Sequence, residues 1–191
     1  DMEYNQLYIE YKLPEGTMSE RVKEDLQQLS EHLMEREDVT HITTAIGGTP
    51  TRYNLVRSMA IPSMSYGELI VDFESPKAAV KSLEYIQNHL IENYPQAYAR
   101  VKRYNLMYEK FPVAVEFSGP DPAVLRNLTG QAQEIMNKNS NTVLETNDWE
   151  PKIPVVVINY NQPAARSLGL SRKDIAISLL AATEGIPTGV F

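Results

Sequence analysis

The sequence predicts an α+β fold built from two split βαβ units in tandem, the second without its last strand. Three observations predict it. Short alternating or continuous apolar runs of strand length are interleaved with segments whose apolar residues recur every three or four positions. The order of these two kinds of segment is βαββαβ through residue 104, and the same order begins again at Val113.

Tyr8 to Leu13 alternates as a strand, and Pro14-Glu15-Gly16 closes it with turn chemistry. A helix follows, with Thr17 or Ser19 as its expected cap. Met18, Val22, Leu26, Leu29 and Leu33 form its apolar stripe. Val39 to Ile46 reads as the second strand, stopped by Gly47-Gly48, and Thr49 to Tyr66 has no clean period and reads as a long loop. Glu68 to Phe73 is the third strand. Ser75-Pro76 then supplies a cap followed by proline at the first helical position. The second helix carries Ala79, Leu83, Ile86 and Leu90 and stops at Asn93 to Pro95, and Ala97 to Tyr104 returns as the fourth strand. This order is the ferredoxin-like arrangement, two helices over one face of a four-stranded antiparallel sheet. Residues 1–108 are assigned to it.

The second unit, residues 109–184, starts with strand Val113 to Phe117 and the turn Ser118 to Pro122. A helix with Val124, Leu128, Ala132 and Ile135 as its stripe comes next. Thr142 to Thr146 and Pro154 to Tyr160 are expected as strands and Pro163 to Leu168 as a short helix. Gly169 breaks that helix, and Ser171 caps a last one running to about Ala182. The repeat is one of element order and not of side-chain identity.

Composition bounds the function. With 18 Lys plus Arg against 25 Asp plus Glu, the chain carries a formal charge of −7. That argues against a partner read through phosphates, so no nucleic acid is expected, and against an anionic membrane surface. No run approaches the ~18 apolar residues of a membrane span. The chain has no Cys, which removes disulfides, thiol nucleophiles and Cys-ligated metals together. It begins at Asp1 with neither an initiator Met nor a signal-peptide pattern, and is expected to be an excised fragment.

Catalytic signatures are missing from the letters. His32, His41 and His89 lie on separate elements without metal-ligand spacing and are read as solvated or capping residues, so no metal site and no cofactor is expected. Neither a Gly-x-Ser-x-Gly elbow nor a Ser-Lys site is present, and Gly47-Gly48 lacks the further glycine or Gly-Lys pair of a phosphate loop. Glu20, Glu24, Asp25 and Glu31 read as a solvated helix face. Nothing supports an enzyme. Two features do ask for an explanation. One is the long loop with Tyr53, Leu55, Val56, Met59, Ile61 and Met64, since long apolar loops are often binding loops. The other is the strand with Val113, Val115 and Phe117 on one face.

The segment VAVEFSGPDPAVL, from Val113 to Leu125, and that from Val156 to Thr183, which holds NYNQPAARSLGLSRKDIAISLL, resemble the periplasmic porter region of resistance-nodulation-division (RND) efflux pumps of the hydrophobe and amphiphile exporter type. The likeness is to the second large periplasmic loop, with its porter subdomains PC1 and PC2, and spans nearly the whole chain in element order. It implies that residues 185–191 begin a docking-domain insertion and that the last strand lies beyond it. It implies an inner-membrane, proton-driven homotrimer of a Gram-negative bacterium, with this chain in the periplasm. A periplasmic adaptor protein and an outer-membrane channel are the implied partners. By the same likeness amphiphilic small molecules enter a cleft lined by Val113, Val115, Phe117 and the position of Thr146. Tyr53, Leu55, Met59, Ile61 and Met64 fall in the family's switch loop.

Two departures concern substrate range: the cleft strand is poorer in Phe than in familiar members, and Thr146 stands near a frequent arginine. Heavy-metal exporters of the superfamily use a methionine cluster. Here Met59 or Met64 could supply its loop member, but the strand positions hold Leu7 to Ile9 and Val113 to Phe117, so copper or silver export is disfavoured. The competing expectation is a free-standing tandem ferredoxin-like regulatory module that binds a small ligand. An acylphosphatase-type enzyme is weaker still, for want of an arginine-bearing phosphate loop after the first strand.

Overall fold

The computed structural model describes residues 4–50, 60–104, 111, 113–150, 152–183, 185, 186 and 189. They fold as an α+β protein with one antiparallel sheet and five helices: β1 (Gln6–Lys12), α1 (Ser19–Met34), β2 (Val39–Ile46), β3 (Tyr66–Phe73), α2 (Pro76–Asn93), β4 (Tyr98–Arg103), α3 (Pro122–Asn137), α4 (Gln162–Ser167) and α5 (Arg172–Thr183). The chain divides into two compact units, Asp1–Ile153 and Pro154–Phe191, each described by itself. The boundary expected at 108/109 falls at residues 105–110, outside the described ones.

The sheet order is β2-β3-β1-β4, with every neighbour antiparallel. This is the split βαβ topology that the βαββαβ order predicts. The stripes of α1 and α2 meet Leu7, Ile9, Tyr11, Leu69, Val71 and Phe73 in one core, which puts both helices on the same face. Val22, Leu26, Leu29 and Leu33 are fully buried, so their spacings of four, three and four mark the inward face; Met18, expected in the stripe, is 61% exposed. Met18 is the N-cap of α1 and makes no side-chain cap bond. Thr17, one of the two expected caps, instead spends its hydroxyl on the carbonyl of Pro14, at 2.7 Å, and so closes the preceding turn.

At α2 the expected cap forms. Ser75 accepts from the amide of Ala78 at 3.3 Å, with Pro76 at the first helical position. Ser75→Ala is expected to lower stability by about 1 kcal/mol in a urea titration followed by far-UV circular dichroism, while Ser75→Asp retains it.

Asp25 corrects the reading of a solvated acidic face, because it is 2% exposed. The Tyr11 hydroxyl donates to it at 2.6 Å and Arg21 reaches it at 2.9 Å. One position in the helix turns inward because a tyrosine from β1 brings a donor to it.

The opposite face of the sheet is also covered and carries charge. Tyr8, Glu10 and Lys12 alternate with the core residues of β1; across the register Glu10 stands beside Glu68 on one side and Arg100 on the other. Glu68 is fully buried and accepts from the Tyr66 hydroxyl at 3.0 Å. Glu10 pairs with Arg100 and Lys102, both at 3.3 Å. Burying carboxylates here is tolerable because cations and hydroxyls stand against them.

The helices of the second run, α3, α4 and α5, form where the element order expects them. The strands expected at Val113 to Phe117, Thr142 to Thr146 and Pro154 to Tyr160 do not: among the described residues these segments carry no sheet ladder. An apolar pattern gives a segment the capacity to be a strand, and only a hydrogen-bonding neighbour realises it. Within the second of these segments Leu144 adopts a left-handed φ of 59°, which interrupts extended backbone. The expected stripe on α3 has no buried member, with Val124 53% and Ile135 69% exposed.

Candidate functional site

The base of the long loop is well defined in the Asp1–Ile153 unit. Gly47 has a φ of 83°, a conformation that favours glycine, and its amide donates to the carbonyl of Tyr66 at 2.8 Å. Its own carbonyl accepts from the amide of Ser63 at 3.1 Å, and Leu13 donates to the carbonyl of Ser65 at 2.9 Å. The loop therefore leaves and re-enters the sheet through a stapled neck. Beyond the neck Ile61 is 88% exposed, and Met64, between the neck residues Ser63 and Ser65, is 56% exposed. Tyr53, Leu55 and Met59 lie outside the described residues.

A chain of polar contacts runs from this neck to the segment that holds Thr146. Ser63 donates to Glu15 at 3.1 Å, Glu15 pairs with Lys12 at 3.3 Å, and Lys12 also pairs with Glu150. Burial alone would lower the affinity of Lys12 for its proton, but Glu150 and Glu15 more than offset it and hold the ammonium above its ordinary value. Burial would likewise raise Glu15; its bonds to Lys12 and Ser63 outweigh that and keep the carboxyl below the usual range. Glu150 itself sits at a left-handed φ of 50°. Its segment is anchored from the other side, where Asn147 donates to Gln133 of α3 at 3.1 Å and Arg126 stacks over Trp149 at 4.4 Å.

No motif or spacing marks Lys12, Glu15, Ser63 and Glu150 as partners. Lys12 and Glu15 are near neighbours in the chain, but Ser63 and Glu150 are far from them, and only the fold brings the four together. The pairs are partly exposed, so their role is to position and not to stabilise strongly.

The remaining predicted residues lie elsewhere. Val113, Val115 and Phe117 are 68%, 61% and 37% exposed. Ala114 and Glu116 are exposed as well, so the expected inner and outer faces of a strand are not distinguished. Thr146 is exposed, and among the described residues no hydrogen bond, ion pair or ring contact joins it to the 113–117 segment. What this unit offers a ligand is apolar surface: valines, an aromatic ring, Ile61 and the soft side chain of Met64. Such surface holds hydrophobic compounds with weak discrimination, since one methylene is worth only ~1 to 3 kcal/mol.

In the Pro154–Phe191 unit a shallow depression is lined by Tyr160, Arg166 and Arg172 among others, with the Arg172 guanidinium 5.2 Å from the Tyr160 ring. It borders the start of α5, where an anion would need free amides. Asp174 and Ser171 close that end on each other through bonds of 2.6 to 3.2 Å, which also hold the Asp174 carboxyl below its usual range. Among the described residues no three His, Asp or Glu side chains gather as a metal cluster, and no helix is long and apolar enough to cross a membrane.

No protein-family model matches the chain, and neither does any curated protein. Solved structures do. Crystal structures of a heavy metal efflux pump, in two crystal forms, superpose on 95% of this chain with TM-scores of 0.64 and 0.61 and sequence identities of 18% and 17%. This chain covers 19% and 20% of the length of those chains, about one-fifth of the pump. The likeness extends past the complete sheet into the half where no ladder forms.

Proposed function

We propose that this chain is the periplasmic porter part of a proton-driven RND efflux transporter, the stretch equivalent to its PC1 and PC2 subdomains. The observation that carries the reading is the superposition of 95% of the chain on one-fifth of an efflux pump at a TM-score of 0.64. In this reading the parent is an inner-membrane homotrimer of a Gram-negative cell. It works with a periplasmic adaptor protein and an outer-membrane channel, and the chain performs no enzymatic step. Its part is to admit and select cargo.

Amphiphilic or hydrophobic compounds are the cargo we favour. Val113, Val115, Phe117 and Ile61 present apolar surface with few fixed polar partners, which suits binding by area and not by directional bonds. The pump it superposes on moves heavy metals, and a metal route would need soft ligands gathered in one place. The described methionines, Met18, Met34, Met64 and Met136, lie at the start of α1, at its end, in the loop and on α3.

The test uses the full-length parent gene in an efflux-deficient host. Phe117→Ala is expected to change susceptibility to dyes, detergents or hydrophobic antibiotics several-fold at unchanged expression, with tolerance of copper, silver and zinc unaltered. Met64→Ala is expected to leave metal tolerance intact too. A loss of metal tolerance in either variant, with amphiphile susceptibility constant, would replace the amphiphile reading by metal export. No transport phenotype from the parent gene would remove the porter reading itself.

A further inference from the structure

His32 and His89, which the sequence places on separate elements, meet across the seam between α1 and α2. Their rings stack with centroids 4.0 Å apart and planes within 5° of parallel. The Nε2 of His32 lies 2.9 Å from the Tyr85 hydroxyl, and Asn93 lies 3.2 Å from the Nδ1 of His89. This geometry does not suit a metal. An ion bound by imidazole lies in the ring plane about 2.0 Å from nitrogen, and two parallel, face-to-face rings share no such point.

We propose that the His32–His89 stack is an acid-sensitive seam, closed while the imidazoles are neutral and loosened when both are protonated. Stacking at this distance joins two neutral rings by dispersion and sets two like charges face to face once both carry protons. At His89 the charge of His32 outweighs that of Glu92. On α2, Glu92 acts in favour of a charged His89, while Tyr85 carries the Arg36 guanidinium 4.8 Å above its ring. Arg36 is itself engaged by Asp38 at 2.7 Å. Gln28 on α1 and Glu35 at its C-terminal cap are the neighbours of His32 at one turn's spacing, with Glu31 beside it in the chain. From beyond the helices come Tyr94, whose ring is 6.2 Å from His89, and behind it Tyr11 bonded to the buried Asp25.

The direction of the effect follows from proton linkage. Burial first, and the charge of His32 second, hold His89 below its ordinary value, with Glu92 opposing. The unfolded chain then takes up the proton before the folded one does. Stability is complete above the ordinary histidine range and is lost as pH falls from there through the lower native value.

The experiment follows the histidine ring signals of the 191-residue chain by NMR from about pH 8 to about pH 5, with urea midpoints over the same range. His89 is expected to titrate below a histidine peptide in the same buffer and to move toward the peptide in His32→Gln. In that variant the acid-side loss of urea midpoint shrinks about twofold. A His89 that titrates with the peptide in the wild-type chain, or that does not respond to His32→Gln, overturns the proposal. If His32→Gln does not fold, His32→Ala is titrated in its place and read by the same two outcomes.

Discussion

Asp25→Ala is expected to destabilise the sheet and its two helices by about 3 kcal/mol, read as a fall in urea midpoint by far-UV circular dichroism. The carboxylate is 2% exposed and holds two groups at once, the Tyr11 hydroxyl at 2.6 Å and the Arg21 guanidinium at 2.9 Å. Arg21 is more than half exposed and returns to water when its partner is removed. Tyr11 is fully buried and has no such recourse, so its hydroxyl stays in the core without an acceptor. The same burial, with the neighbouring carboxylate second, pushes the Tyr11 hydroxyl well above its ordinary pKa. Tyr11→Phe is expected to cost less, because Asp25 keeps Arg21, and the double variant less than the two losses added. A loss under about 1 kcal/mol for Asp25→Ala would mean that this carboxylate is solvated in solution.

Gly67→Ala is expected to cost about 1–3 kcal/mol, and Gly67→Val more, although either change adds apolar surface to a strand. A Cβ at this position would fall 2.5 Å from Cδ1 of Leu26, 2.8 Å from Cγ1 of Val22 and 3.1 Å from the carbonyl oxygen of Ala45. Leu26 and Val22 are both fully buried, so their methyls have nowhere to swing and α1 itself must lift. Opening that space with Leu26→Ala should make the Gly67→Ala step cheaper than in the wild-type background, measured as a double-mutant cycle in urea. Equal costs in both backgrounds would show that the helix does not press on β3 at this point.

Gly67 also marks where sequence reading stopped short. The third strand was expected to start at Glu68, and β3 begins two residues earlier at Tyr66. A glycine at a strand edge reads as punctuation; its requirement is imposed by a helix that arrives from residues 22 and 26. Asp25 has the same character. Counting around the helix puts it at the border of the apolar stripe, three residues after Val22 and four before Leu29, and the tyrosine on a strand 14 residues away gives its buried carboxylate a donor. The histidine stack and the Ser63–Glu15–Lys12–Glu150 connection were likewise illegible, since each joins elements that the chain keeps far apart.

The split of what was legible follows from the range of the forces involved. By itself the sequence determined the α+β class, the order of elements through Arg103, the stripes of α1 and α2 and the cap at Ser75. These rest on periodicity, turn chemistry and local hydrogen bonding within a few residues. Only the tertiary structure decided that Glu68 and Asp25 are buried and that the apolar segments at 113–117, 142–146 and 154–160 carry no ladder. A helix satisfies its backbone from its own residues, so its pattern suffices to predict it. A strand needs a neighbour, and a buried charge needs a partner, and neither is written in the segment that requires it.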